Sequence, residues 1–145
     1  MTDLTLSAAD AIIDAALAHA REAGLAPIAV VVLDAGAHMV AMKRQDGASL
    51  FRGQIAAGKA TGALGMGYGT RELAKRAQGG PLFYTALMTL TGEVVPSPGG
   101  VLIRDADGKL IGAVGISGDT GDADEAAALA GIAAAGLVAQ PGDRA

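Results

Sequence analysis

His38, Val40, Met42 and Arg44 alternate along a short apolar segment, and in an extended strand alternate residues face the same way. An imidazole, a thioether and a guanidinium on one face would line a site for an anionic or metal-bearing ligand. The plainer reading of the same residues is a hairpin histidine in solvent and a core methionine. Asp46 follows this segment, where it either caps the next helix or orients Arg44. Lys59 falls on that helix, one turn after Ile55, where a lysine ordinarily snorkels along apolar surface. If it points inward beside Arg44, it binds a carboxylate instead and burial lowers its pKa. His19 sits two turns after Ile12, near the apolar stripe of the first helix, which suits a core-edge histidine. Asp122, Asp124 and Glu125 invite a metal reading, but acidic residues in a helix's first turn are what the helix dipole favours. The chain has no P-loop, no strand–GxGxxG–helix fingerprint, no HExxH and no GxSxG. Dinucleotide hydride transfer, NTP hydrolysis and Ser-triad catalysis therefore have no residues to carry them.

The elements that must position these residues come as a repeat. Val30–Val40 reads as an apolar run, an Asp-led turn and a second apolar run, and Val101–Ile111 repeats the pattern. Each copy reaches a glycine at the same distance, Gly47 and then Gly118, before a helix-like segment. The copies differ where chemistry would sit, because Lys109 and Gly115 stand where the first has His38 and Arg44. Ahead of them, Ser7 and Asp10 read as a capping box for a helix over about 8–23, with Leu6 as staple and Gly24 as stop. The run 28–33 suits a strand covered on both faces, and 38–44 its hairpin partner.

After Gly47, with Ser49 as cap, the spacing predicts a helix carrying Gly58, Gly62, Gly65 and Gly69 on one side. Interior helical glycines cost up to about 1 kcal/mol each, so a smooth side must pack closely on the sheet or on a neighbouring subunit. A break near Gly65–Gly69, with Thr70 capping a short helix over 71–77, is the favoured alternative. A further helix is expected over 82–90, a short edge strand at Val94–Val95, and a tight turn at Asp105–Gly108. Asp122 and Glu125 read as a capping box for a last helix running to about Ala139, with Ala127, Gly131 and Ala135 on a close-packing face.

Hairpins without βαβ crossovers imply a mostly antiparallel sheet of four to five strands with helices packed on it, an α/β (α+β) fold. Such a sheet has open edges, which with the small-residue helix faces predicts a homo-oligomer. The 145 residues suit one domain. The two Phe, two Tyr and absent Trp point to a core of aliphatic side chains. Without cysteine there are no disulfides or thiolate metal sites, and no apolar run approaches the roughly 20 residues of a membrane span. The N-terminus shows no secretory pattern, so the expected compartment is the cytoplasm. A net charge of −4 argues against nucleic acid as partner.

The order and spacing of several stretches resemble the GlcG/HbpS family, which includes the C-terminal domain of the adenosyltransferase PduO. They are Ala35–Ala48, Gly58-Lys59-Ala60-Thr61, Pro98–Ile103 and Ile111–Gly118, with Asp124 beyond. The resemblance runs from about Ser7 to Gly136. It implies a profilin-like sheet flanked by helices, symmetric oligomers, and haem or another tetrapyrrole as ligand. His19, His38 and the methionines are the candidate axial residues.

Two functions follow. The first is a small-ligand binding protein, with haem leading, in which His38 is axial or propionate-facing and Arg44 and Lys59 pair with propionates. The alternative is a cofactor-independent isomerase, tautomerase or hydratase acting on a small organic acid in a catabolic pathway. There Arg44 and Lys59 would hold the carboxylate, His38 would move the proton, and the Gly99 and Gly100 amides would steady an enolate oxygen. An accessory subunit of another enzyme is a third, plainer option.

Overall fold

The first apolar run of the repeat ends beside the last, at the centre of one sheet. A computed structural model describes residues 3–144. The elements run α1 (Leu6–Ala23), β1 (Ala29–Asp34), β2 (Met39–Arg44), α2 (Arg52–Met66), α3 (Thr70–Gly79), α4 (Pro81–Thr91), β3 (Gly100–Arg104), β4 (Leu110–Ser117), α5 (Gly121–Ala134) and β5 (Val138–Gln140). Every strand pairing is antiparallel, in the order β2-β1-β4-β3-β5. The expected mixed fold is present, with five strands among the described residues.

Strand alternation divides the core. Val30, Val32, Val101, Ile103, Val114 and Ile116 pack against α1 and α5, while Ala29, Val31, Leu33, Leu102 and Ala113 pack against α2. Both faces are covered, which is why β1 and β4 read as near-continuous apolar runs.

Element ends differ from the sequence reading where a neighbouring polar residue captures the cap. Thr5, not Ser7, caps α1 through its hydroxyl, which accepts from the Ala8 amide at 3.0 Å. The exposed Leu6 is then the first residue of the helix. α2 begins only at Arg52, and Ser49 accepts from the Arg52 guanidinium instead of capping. The helical run breaks after Met66 as expected, at Gly67 in the left-handed region. Thr70 does not cap α3 but is its first residue, and its hydroxyl accepts from the Gly100 amide at 2.8 Å. α5 is capped by Thr120, not by Asp122, and stops at Ala134. Gly136, with φ of +72°, turns the chain back so that 138–140 pair with β3. Val94–Val95 forms no strand.

The glycine stripe has a different purpose from the expected one. The sheet-facing residues of α2 are Ala56, Ala60 and Ala63, whereas Gly58 and Gly62 lie beneath the segment 93–95 of the same chain. Small residues on β4 allow the approach, since a Cβ on Gly115 would overlap the Ala56 carbonyl. On the other face Gly131 meets the backbone of Ile12, so the close approach expected of that helix surface is made to α1. Gly65 borders open space and has nothing within 4 Å of an added Cβ. Gly65→Ala is therefore expected to stabilise the fold by about 0.5 kcal/mol or more, through helix propensity alone. The urea midpoint checks this, and a loss of stability would show that the smooth surface is needed.

Candidate functional site

The residues singled out above occupy two ends of the sheet. β2 carries a register shift, because Leu33 pairs with Met39 but Val32 pairs with Ala41, leaving Val40 as the extra residue. Such a bulge reverses the alternation of the strand. Val40 and Ala41 both pack in the α1–α5 cluster, while Met42 turns to α2 with its Cε above Gly53. His38 and Val40 therefore do not share a face with Met42 and Arg44, which corrects the simple alternation.

His38 stands at the Asp34 end, just before β2, with its side chain 81% exposed. Its Nδ1 lies 3.1 Å from Asp34 Oδ1, and the same carboxylate oxygen accepts from the amides of Gly36 and His38 at 2.9 and 3.0 Å. These bonds, the His38 amide first, hold the Asp34 carboxyl below its ordinary range despite some desolvation. A carboxylate on Nδ1 selects the tautomer whose Nε2 lone pair points away, the arrangement that orients metal-binding histidines. The imidazole lines a cleft of about 360 Å3 between the two hairpin turns, together with Lys109, Leu4, Leu110 and Ile111. His19 lies half-buried on α1 and does not line that cleft.

Lys59, Gly99 and Gly100 gather at the opposite end, the Ser117 end. Asp34 and Ala29 are five residues apart on β1, which places the two ends about 17 Å from one another. Lys59 points inward with its side chain 4% exposed. Its Nζ donates to the Ile116 carbonyl at 2.8 Å and pairs with Asp124 Oδ2 at 3.1 Å. Desolvation lowers the Lys59 pKa, Asp124 opposes that shift, and nearby Arg52 adds to it. Gly99 passes directly over the ammonium, and a Cβ there would lie 2.8 Å from Nζ. The Gly100 amide is taken by Thr70, so it is not available to an oxyanion.

Arg44 donates to the Ala48 carbonyl at 2.9 Å and does not meet Lys59. Asp46 is exposed, lies six residues before α2, and neither caps it nor binds Arg44. The acidic residues of α5 are not a metal cluster: Asp122 and Glu125 bind Arg71, while Asp124 holds Lys59 and the Asp119 amide. The arrangement thus supplies an oriented imidazole at one end and a buried ion pair at the other, and does not assemble the trio that acid–base catalysis would require.

Sequence reasoning did not reach the parts played by Asp34, Arg52, Ser117 and Asp124. Asp34 reads as a turn residue and Asp124 as a helix-dipole residue, and nothing in the linear pattern links either to its partner.

A five-stranded antiparallel sheet between α1–α5 and α2 defines the class, a small mixed α/β domain built on two hairpins. A family model for haem-degrading, HbpS-like proteins matches residues 4–133, and the chain belongs to that family. The structure of a PduOC:haem complex is similar at 31% identity, with a TM-score of 0.86, covering 94% of this chain and 98% of that one. The crystal structure of HbpS is similar at 33% identity and a TM-score of 0.80, covering 92% and 90%. An uncharacterised 15.0 kDa protein of Citrobacter freundii, from the dhaT–dhaS intergenic region, is 34% identical over 83% of this chain and 84% of its own length.

Proposed function

We propose that the protein binds a tetrapyrrole, with haem as the leading ligand and His38 as its axial residue. The observation that carries this reading is the His38 imidazole, oriented by Asp34 at a cleft where Leu4, Leu110 and Ile111 stand beside Asp3 and Lys109. Likeness to a protein crystallised with haem supports it. The residues present fit the group: an imidazole for the iron, Leu4, Leu110 and Ile111 for an edge of the ring, and Lys109, which pairs with Asp3 at 3.4 Å and would exchange that partner, for a propionate. When bound, haem would supply a redox-active iron. The chain's own part is to hold Nε2 outward and keep the proton on Nδ1, donated to the Asp34 carboxylate. A cleft of about 360 Å3 is near the lower end for small-molecule pockets, so much of the macrocycle would remain outside it. That favours a homo-oligomer in which a second copy covers the ligand. A cytoplasmic accessory role among catabolic enzymes is part of the same reading.

Haem titration of the purified protein, followed at the Soret band, tests it. Saturable binding is expected, and His38→Ala should weaken it more than tenfold. Asp34→Asn, which keeps an oxygen for the Gly36 and His38 amides, should cost about 10- to 100-fold through loss of the oriented tautomer. Non-saturating uptake by the wild type sinks the tetrapyrrole reading. Loss in His19→Ala with binding intact in His38→Ala would move the ligand to α1.

A further inference from the structure

Two guanidinium groups meet the Ser117 end of the sheet without a carboxylate for either among the described residues. Arg52 donates through Nη1 to Ser117 Oγ at 3.3 Å and through Nε to Ser49 Oγ at 3.0 Å. Ser117 is 1% exposed, so Arg52 reaches down onto the sheet itself. Arg44 lies in the same cross-strand row, because its Cα pairs with Ala29 and Ala29 pairs with Ser117. Two strand spacings put the Arg44 and Ser117 backbones about 10 Å apart, within the reach of two arginine side chains. A guanidinium carries five N–H groups, of which Arg44 uses one and Arg52 two, all on neutral oxygens. By contrast, Arg71 and Arg76 each hold two carboxylates.

The surroundings leave this positive charge unbalanced. Lys59 is a third cation close enough to Arg52 to be disfavoured by it. Asp124, the carboxylate nearest Lys59, is committed to the ammonium and to the Asp119 amide. The Asp119 carboxylate accepts from the Ala26 and Thr120 amides, and Asp46 extends into solvent. Clustering cations on a chain of net charge −4 breaks ordinary charge placement, and such departures concentrate where a ligand supplies the missing charge. Planar forks of N–H groups match a carboxylate in geometry. With Asp46 and Asp119 flanking the row, a carboxylate group, which brings a single charge to the two guanidinium groups, suits it better than a dianionic phosphate group.

We propose that this end of the sheet is an anion site in which Arg44 and Arg52 together grip one carboxylate group. The carboxylate belongs either to a free small organic acid or to a tetrapyrrole propionate. The site is about 17 Å from His38 along β1, so in its free-acid form it stands or falls separately from the haem reading, whereas in its propionate form it rests on that reading.

Calorimetric titration with succinate, on wild type, Arg52→Gln, Arg44→Gln, Arg52→Lys and His38→Ala, is the test. The free-acid source predicts saturable binding weakened more than tenfold in either Gln variant, partly restored in Arg52→Lys, and unchanged in His38→Ala. The propionate source predicts no succinate binding. Haem affinity then falls more than tenfold in Arg52→Gln and Arg44→Gln, and to a similar degree when the propionates are esterified. Side-chain Nε–Hε resonances of the two arginines in 1H–15N spectra, read in the wild type, report contact directly and do not depend on any variant folding. If neither succinate nor the propionates depend on Arg44 or Arg52, and those resonances do not move, the anion site is wrong. Inorganic phosphate binding as tightly as succinate would overturn the carboxylate assignment.

Discussion

Lys59→Met is expected to lower the unfolding free energy by about 3–5 kcal/mol, because it strands the Asp124 carboxylate in the interior. That carboxylate is 1% exposed and shares its oxygens between the Lys59 ammonium and the Asp119 amide. Removing one partner of a buried pair leaves a desolvated charge without its counter-charge. Asp124→Ala should cost a similar amount by stranding the ammonium, which would retain the Ile116 carbonyl but no counter-charge. Lys59→Met combined with Asp124→Asn should be clearly less damaging than the sum, since the two defects are one defect. Urea unfolding of the four proteins at pH 7 measures this. Single-variant losses below about 1 kcal/mol would mean that water reaches the pair.

The pH dependence carries a sign that can be checked against the same variants. Burial sets the folded Lys59 pKa below its usual 10.5, so the folded chain gives up this proton before the unfolded chain does. Between those two pKa values the unfolded state binds more protons, and stability gains with rising pH. The difference in stability between wild type and Lys59→Met should therefore shift in favour of the wild type as pH approaches 10.5.

Gly115→Ala is expected to destabilise by about 3 kcal/mol, at the upper end of what overpacking costs. Gly115 lies at the centre of the sheet, between Val31 of β1 and Gly100 of β3. A Cβ there would overlap the Ala56 carbonyl and lie 3.0 Å from the Ala60 amide nitrogen. Both obstacles are backbone atoms of a helix packed on the sheet, so relief requires α2 to move as a body. The shift would reach Lys59, which is on the same helix. Gly108→Ala is the informative contrast, because its φ of +85° is strained for alanine but no neighbour stands within 4 Å. It should cost only about 1–2 kcal/mol, the local left-handed penalty. Equal midpoints for the two variants in urea would show that α2 yields easily and that close packing on β4 is not what holds the helix.

The hairpin repeat, the apolar runs of β1 and β4 and the break after Met66 were legible from local pattern. Each depends on residues adjacent in the chain: β-branched runs, Asp-led turns and a glycine that admits positive φ. Lys59, Gly99 and Gly100 were also singled out in advance, Lys59 with a surface position as its ordinary reading and an inward one beside Arg44 as the alternative; the lysine points inward, but not beside Arg44. What surrounds them was not legible, because their partners are distant in sequence. Asp124 is 65 residues from Lys59. An acidic residue in a helix's first turn has a sufficient local explanation, and this concealed its long-range one. The single extra residue at Val40 had the greatest effect on the candidate site. Whether a strand bulges depends on the register of its partner, and this shift turned His38 away from Met42 and Arg44. The sequence alone determined which side-chain types are available for chemistry and which elements hold them, since type and local period set both. Tertiary structure alone decided which of them meet, because strand register and helix approach are settled by packing across the whole sheet. It set His38 on Asp34 and Lys59 on Asp124, at opposite ends of one sheet.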